Sequence, residues 1–132
     1  MQLASIRLIT ADVDRLVSFY ETVTRTTADR PAPVFAEIVT SGGVLAIGDV
    51  ATVPLFGAGS ARPADNHSAI VEFRVDDVDA EWERLSPVVD DVVQTPTTMP
   101  WGNRSLLIRD PDGTLVNLFT PVAPDAIARQ DR

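Results

Sequence analysis

Two stretches of the chain repeat one another, and that repeat limits the fold more than any other feature. Arg7-Leu-Ile-Thr-Ala-Asp-Val-Asp14 parallels Glu72-Phe-Arg-Val-Asp-Asp-Val-Asp79, with the helix-opening aspartates Asp12 and Asp77 65 positions apart. Ser41-Gly-Gly-Val-Leu-Ala-Ile47 parallels Pro111-Asp-Gly-Thr-Leu-Val-Asn117 at an offset of 70. Each copy reads as a strand, a capped helix and then further strands. The direct reading is two β-α-β-β-β modules in tandem.

Taken in order, Leu3–Thr10 is rich in β-formers and reads as a strand. Asp12 is placed as a helix N-cap, and Asp14 suits the positive end of the helix dipole. Val13, Leu16, Val17, Tyr20 and Val23 then recur at helical spacing, which predicts an amphipathic helix over Asp12–Thr24. A weakly signalled strand lies near Thr26–Arg30. Val34–Thr40 and Val44–Gly48 read as strands joined by Ser41-Gly-Gly43. From 50 to 66 the text turns to Ala, Gly, Pro and Ser, a linker. The pattern restarts with a strand over Ser68–Val75 and a helix opened by Asp77, with Val78, Trp82 and Leu85 inward and Pro87 ending it. Val88–Gln94 reads as a strand or a strand plus loop.

The closing segment is Met99-Pro-Trp-Gly followed by two apolar runs, Leu106–Ile108 and Leu115–Phe119, around Asp110-Pro-Asp-Gly113. Proline presets φ at one turn position and glycine supplies positive φ at another. Arg104–Arg109 and Thr114–Thr120 are therefore expected as adjacent antiparallel strands. These boundaries give one domain over 1–122, with module one about 3–49, a linker about 50–66 and module two about 67–121. A fraying tail is expected over 123–132.

Composition excludes several classes of function. The 132 residues contain no cysteine, which removes disulfides, thiolate metal sites and cysteine nucleophiles. Eleven basic residues against 19 acidic ones give a net charge of −8, which argues against a nucleic-acid partner. No apolar run reaches the roughly 20 residues of a membrane span, and Met1-Gln-Leu-Ala-Ser-Ile-Arg7 lacks the basic-then-apolar pattern of a signal peptide, so none is expected. The expectation is a cytoplasmic protein that does not engage a membrane. Serine-hydrolase elbows, phosphate loops and paired histidines are also missing.

The hairpin with a tryptophan at its mouth, together with the duplicated module, resembles the glyoxalase / bleomycin-resistance / extradiol-dioxygenase families of the vicinal-oxygen-chelate superfamily. The resemblance covers about residues 3–121. It implies an α+β fold in which the two modules form a half-barrel cavity, with metal ligands on the first and last strand of each module. By that pattern the four metal positions hold Ser5, Ala46, Ile70 and Asn117. Serine and asparagine offer neutral oxygen, and alanine and isoleucine offer nothing, so no metal and no other cofactor is expected.

Strand alternation nominates the residues that line such a cavity. Ile6 and Leu8 are expected under the first helix, which turns Ser5, Arg7 and Ile9 to the other face. Val71, Phe73 and Val75 are expected under the second helix, leaving Ile70, Glu72 and Arg74 opposite. Leu115, Asn117 and Phe119 share one face. The candidate ligand-binding set is Ser5, Arg7, Glu72, Arg74, Trp101, Asn117 and Phe119. Glu72 reads either as the centre of an Arg7–Glu72–Arg74 charge cluster or as a catalytic carboxylate, with Glu37 as an uncertain second carboxylate. Trp101 reads either as a stacking surface for a flat ligand or as a lid on the core. His67, the only histidine, falls at a strand start. Asp110 and Asp112 read as turn-formers, and Arg104 as an anchor.

Two functions follow. One is a metal-independent small-molecule binder similar to the bleomycin-resistance proteins, which sequester a drug without altering it, with a ligand that is cationic or aromatic. The other is a lyase, isomerase or dioxygenase with a displaced site around Glu72, Glu37 and Asn117. A homodimer is expected, since pairing would cover sheet edges.

Overall fold

The computed structural model describes residues 1–132. The chain divides into two compact units. The first comprises Met1–Asn66 with Pro111–Gly113, and the second His67–Asp110 with Thr114–Arg132. Each contains one β-α-β-β-β module, so the tandem α+β architecture expected from the repeat is the one formed.

In the first unit, β1 (Ser5–Thr10), α1 (Val13–Thr24), β2 (Asp29–Ala32), β3 (Phe35–Val39) and β4 (Val44–Asp49) build a four-stranded mixed sheet in the order β1-β4-β3-β2. β1 and β4 run parallel; the other pairs are antiparallel. α1 begins where the Asp12 carboxylate accepts the Arg15 backbone N–H at 3.1 Å. That bond satisfies one of the otherwise unpaired first-turn donors. The helix stops at Arg25, whose φ of 54° turns the chain out of the helical region. Val13, Leu16, Val17, Tyr20 and Val23 are all buried, as their spacing requires. The sheet contributes Ala36, Ile38, Leu45 and Ile47 to this core.

α1 packs on the central strands β3 and β4. β1 is an edge strand, so Ile6 is exposed and Leu8 only half-buried, rather than both lying under the helix as alternation alone suggests. The segment read as a plain linker contains a 3-10 helical turn, Val50–Leu55, capped by the Asp49 carboxylate accepting the Ala51 N–H at 2.8 Å.

The second unit repeats the plan with β5 (Ile70–Arg74), α2 (Val78–Leu85), β6 (Val92–Thr98), β7 (Asn103–Arg109) and β8 (Leu115–Pro121), in the order β5-β8-β7-β6. Asp77 caps α2 by accepting the N–H groups of Asp79 and Ala80. Val78, Leu85, Leu106, Ile108, Val116 and Leu118 form the core. Trp82 is only half-buried, so it is a core margin rather than a core centre. β6 begins later than expected and runs through Pro96. Proline is tolerated there because β6 is an edge strand and its register shifts between Gln94 and Thr97.

The β7–β8 turn forms as the Asp-Pro-Asp-Gly text requires. Asp110 donates its backbone N–H to the Thr114 carbonyl and accepts the Thr114 N–H on its carboxylate, both at 2.9 Å. Gly113 supplies φ of 86°.

The tail expected to fray carries a helix instead. Pro124–Gln130 forms α3, with proline in its first turn and Asp125 at its positive end. Ala126 is fully buried. The backbone N–H groups of Val122 and Ala123 both donate to the Gly102 carbonyl, and Asp131 pairs with Arg74 at 2.8 Å. The small side chains in Ala-Pro-Asp-Ala126 are what let the segment sit against Gly102.

Candidate functional site

The helix-free face of each sheet carries the nominated residues, and each face has its own chemistry. On the second sheet, β5 and β8 run in parallel with Glu72 opposite Asn117 and Arg74 opposite Phe119. The Asn117 side-chain amide donates to the Glu72 carboxylate at 2.8 Å. Asn117 is 9% exposed and its Oδ1 is buried with no hydrogen-bond partner. Glu72 itself is exposed. The pair holds an exposed carboxylate and, beside it, a buried amide oxygen with no hydrogen-bond partner. A buried acceptor without a partner is costly, and a ligand N–H relieves that cost.

A second such acceptor was not nominated from the sequence. Asn103 is buried, its Oδ1 is also unpartnered, and by strand alternation it shares the Asn117 face. It reads as ordinary turn text beside Trp101-Gly102, and only burial distinguishes it. Ser105 and Phe119, both buried and cross-strand neighbours, lie between the two asparagines.

Trp101 is 60% exposed in the turn before β7, so it does not lid a core. Its carbonyl accepts from Arg129 of α3 at 3.3 Å. Asn103 is opposite Pro121 and Leu107 opposite Asn117. Four residues of strand, on the order of 13 Å, therefore separate the Trp101 end of the sheet from the Glu72–Asn117 pair.

Within the second unit, Glu72 and Arg74 take different partners. Arg74 is taken by Asp131 of α3, and Glu72 by Asn117. Arg7 lies on the first sheet with its guanidinium carbon 4.9 Å from the Phe35 ring centroid and 5.1 Å from that of Phe56. Ser5, on the same strand, is exposed. Glu37 is half-buried, opposite Ala46 on that sheet. Arg104 is an anchor: its guanidinium donates through Nε and Nη2 to Asp79 of α2 at 2.8 and 3.0 Å. That hydrogen bond holds the Asp79 carboxyl below its ordinary value, with the guanidinium charge adding to the effect.

The four positions that would ligate a metal do not fit one. Ser5, Ala46, Ile70 and Asn117 supply no imidazole or carboxylate, and Asn117 spends its amide on Glu72. No group of three or more His, Asp or Glu side chains anywhere in the chain comes together in a way that could hold a metal ion. No helix is long and apolar enough to cross a membrane.

Comparison with known proteins agrees with this architecture. Residues 2–118 match the Glyoxalase/Bleomycin resistance protein/Dioxygenase superfamily. No curated protein matches the chain. Among solved structures, a glyoxalase-related enzyme from Fulvimarina pelagi is 22% identical, with 94% of each chain covered and a TM-score of 0.76. A glyoxalase/bleomycin resistance protein/dioxygenase from Nocardioides is 22% identical, covering 94% of this chain and 85% of that one, with a TM-score of 0.75. TioX from Micromonospora sp. ML1 is 24% identical over 92% of this chain and all of its own, with a TM-score of 0.69. At these identities the structures speak for the fold. The repeat, the two mixed sheets and the family match over nearly the whole chain place this protein in the glyoxalase/bleomycin resistance protein/dioxygenase superfamily.

Proposed function

We propose that the chain is a metal-independent small-molecule binding protein, comparable in role to the bleomycin-resistance members of its superfamily, and that its ligand is an extended planar cation. The observation that carries this reading is the Glu72–Asn117 pair, which puts a carboxylate and an unpaired, buried amide oxygen where the family pattern calls for a metal ligand. Two acceptors and no metal-ligating set favour a ligand bearing N–H donors and positive charge. Asn103, two residues after the exposed Trp101, adds a third acceptor. A ligand using both ends must reach roughly 13 Å along the strands. An enzyme acting through Glu72 is the competing reading and requires turnover that a Glu72→Gln change abolishes. The exposed Leu3 and Ile6 at the β1 edge and Ile70 on β5 suit pairing of two copies.

The test uses two probes, a cationic bis-benzimidazole dye followed by fluorescence and the short cation benzamidine followed by calorimetry. Glu72→Gln weakens both by about tenfold or more, the scale of a hydrogen bond to a charged group. Trp101→Ala weakens the long dye several-fold and leaves benzamidine unchanged. Binding of both probes unaffected by Glu72→Gln would refute the assignment.

A further inference from the structure

We infer that Arg7 is the recognition group of an anion site on the helix-free face of the first sheet, specific for a planar carboxylate. The inference rests on reading the chain as a small-molecule binder, and it adds a ligand class opposite in charge to the one assigned to Glu72–Asn117.

Eleven cations serve nineteen carboxylates in this chain, and among those in salt bridges are Arg30 with Asp14, Arg62 with Asp65, Arg74 with Asp131, Arg84 with Glu81 and Arg104 with Asp79. Arg7 has no such partner. A carboxylate is nevertheless close along the sheet, because Arg7 and Glu37 both flank Ala46 on one face. The side chain runs instead in the direction of Gly48, which lies opposite Phe35.

The stem passes beside Gly48, where a Cβ would make ordinary contact with the Arg7 Cδ at 3.5 Å and the Ile9 Cδ1 at 3.4 Å. It lies across β4, and its head reaches the Phe35 and Phe56 rings. Two aromatic rings near 5 Å hold a guanidinium through its charge and its flat faces. Neither ring accepts its N–H groups as a carboxylate would. The five donors of the fork therefore stay available, and their geometry matches a carboxylate in a two-pronged contact. Phe56 is 71% exposed, an apolar ring left in solvent beside a cation. A flat organic anion satisfies both, its carboxylate on Arg7 and its ring against Phe56.

The experiment compares 2-naphthoate with neutral 2-naphthamide and with the bis-benzimidazole dye. Binding is read by amide and arginine Nε–H shifts in 15N-labelled full-length protein. The site predicts that 2-naphthoate binds about tenfold or more tightly than 2-naphthamide and shifts the Arg7 Nε–H and the β1 amides. Arg7→Met removes that preference; Arg7→Lys, which keeps the charge but loses the planar fork, retains only part of it. Phe56→Ala, at an exposed position, weakens 2-naphthoate several-fold and leaves the fold intact. Glu37→Gln leaves the affinity unchanged, whereas a large gain would show that Glu37 occupies Arg7 in solution and would overturn the assignment. Equal binding of acid and amide, or no 2-naphthoate binding, would also overturn it. Retention of the dye in that case leaves the Glu72–Asn117 reading standing, and loss of both removes both.

Discussion

Gly102→Ala is predicted to dislodge the C-terminal helix, and a matched control separates the two reasons. Gly102 has φ of 91°, and a Cβ at that position would lie 2.5 Å from the Ala123 Cβ and 3.1 Å from the Ala126 Cβ. Gly113 has nearly the same backbone, φ of 86°, but nothing lies within 4 Å of its Cβ position. An L-residue in the left-handed region costs about 1–2 kcal/mol, so Gly113→Ala is expected to lose about that much. The clash at Gly102 adds about 1–3 kcal/mol of overpacking. The total is limited by undocking α3, which relieves the clash by giving up the burial of Ala126 and the Gly102 carbonyl's bonds to Val122 and Ala123. Urea denaturation of both variants gives the two losses, and hydrogen exchange of the amides over 124–130 reads the docking of α3. Gly102→Ala is expected to lose more stability than Gly113→Ala and to strip protection from α3. Equal losses with α3 protection intact would refute the packing argument.

Asp110→Ala leaves the Thr114 N–H without its carboxylate partner in a buried turn, and is expected to cost about 1–3 kcal/mol by urea denaturation. Leu106→Ala opens a cavity at a fully buried position and is expected to cost about 2–5 kcal/mol. Asp79 titrates below its ordinary value of 3.8 because Arg104 bonds its charged form. The stabilisation from that pair is complete above 3.8 and disappears as pH falls through the lowered native value. Carboxyl 13C titration by NMR is expected to show Asp79 moving back up in Arg104→Ala; an unchanged midpoint would contradict the pairing.

Most of the fold was legible because its signals are local. Asp12 and Asp77 cap the two helices, Gly113 turns the closing hairpin, and the spacing of Val13 to Val23 gives the buried stripe of α1. The failures came where tertiary position overrides local text. Alternation puts Ile6 on the helix side, but only the sheet order reveals that β1 is an edge, beside the central strands on which α1 packs. The strand read over Val88–Gln94 lies instead at Val92–Thr98, and only its edge position with a register shift accommodates Pro96 inside it. The last ten residues look like a polar tail because Gly102, their docking surface, is distant in sequence.

Residue type at the family's metal positions can be read from the text, whereas side-chain contacts cannot. Residue type alone shows that Ser5, Ala46, Ile70 and Asn117 make a poor metal set. The partner of each charged group is a matter of geometry. Arg74 goes to Asp131 in a segment expected to be loose, and Arg7 goes to Phe35 and Phe56, the second of which lies in the presumed linker region. Asn103 carries no sequence signal, since an unpartnered amide oxygen is visible only once its surroundings are.

We propose that this member of the superfamily binds its ligand without a metal at the usual positions. The most direct measurement is elemental analysis of untagged protein after incubation with zinc, nickel, manganese and ferrous iron and removal of unbound ions. The residues at 5, 46, 70 and 117 predict that no metal is retained near stoichiometry. Retention of one equivalent of any of them would overturn metal-free binding and point to Glu72, Glu37 and His67 as ligands to be mutated.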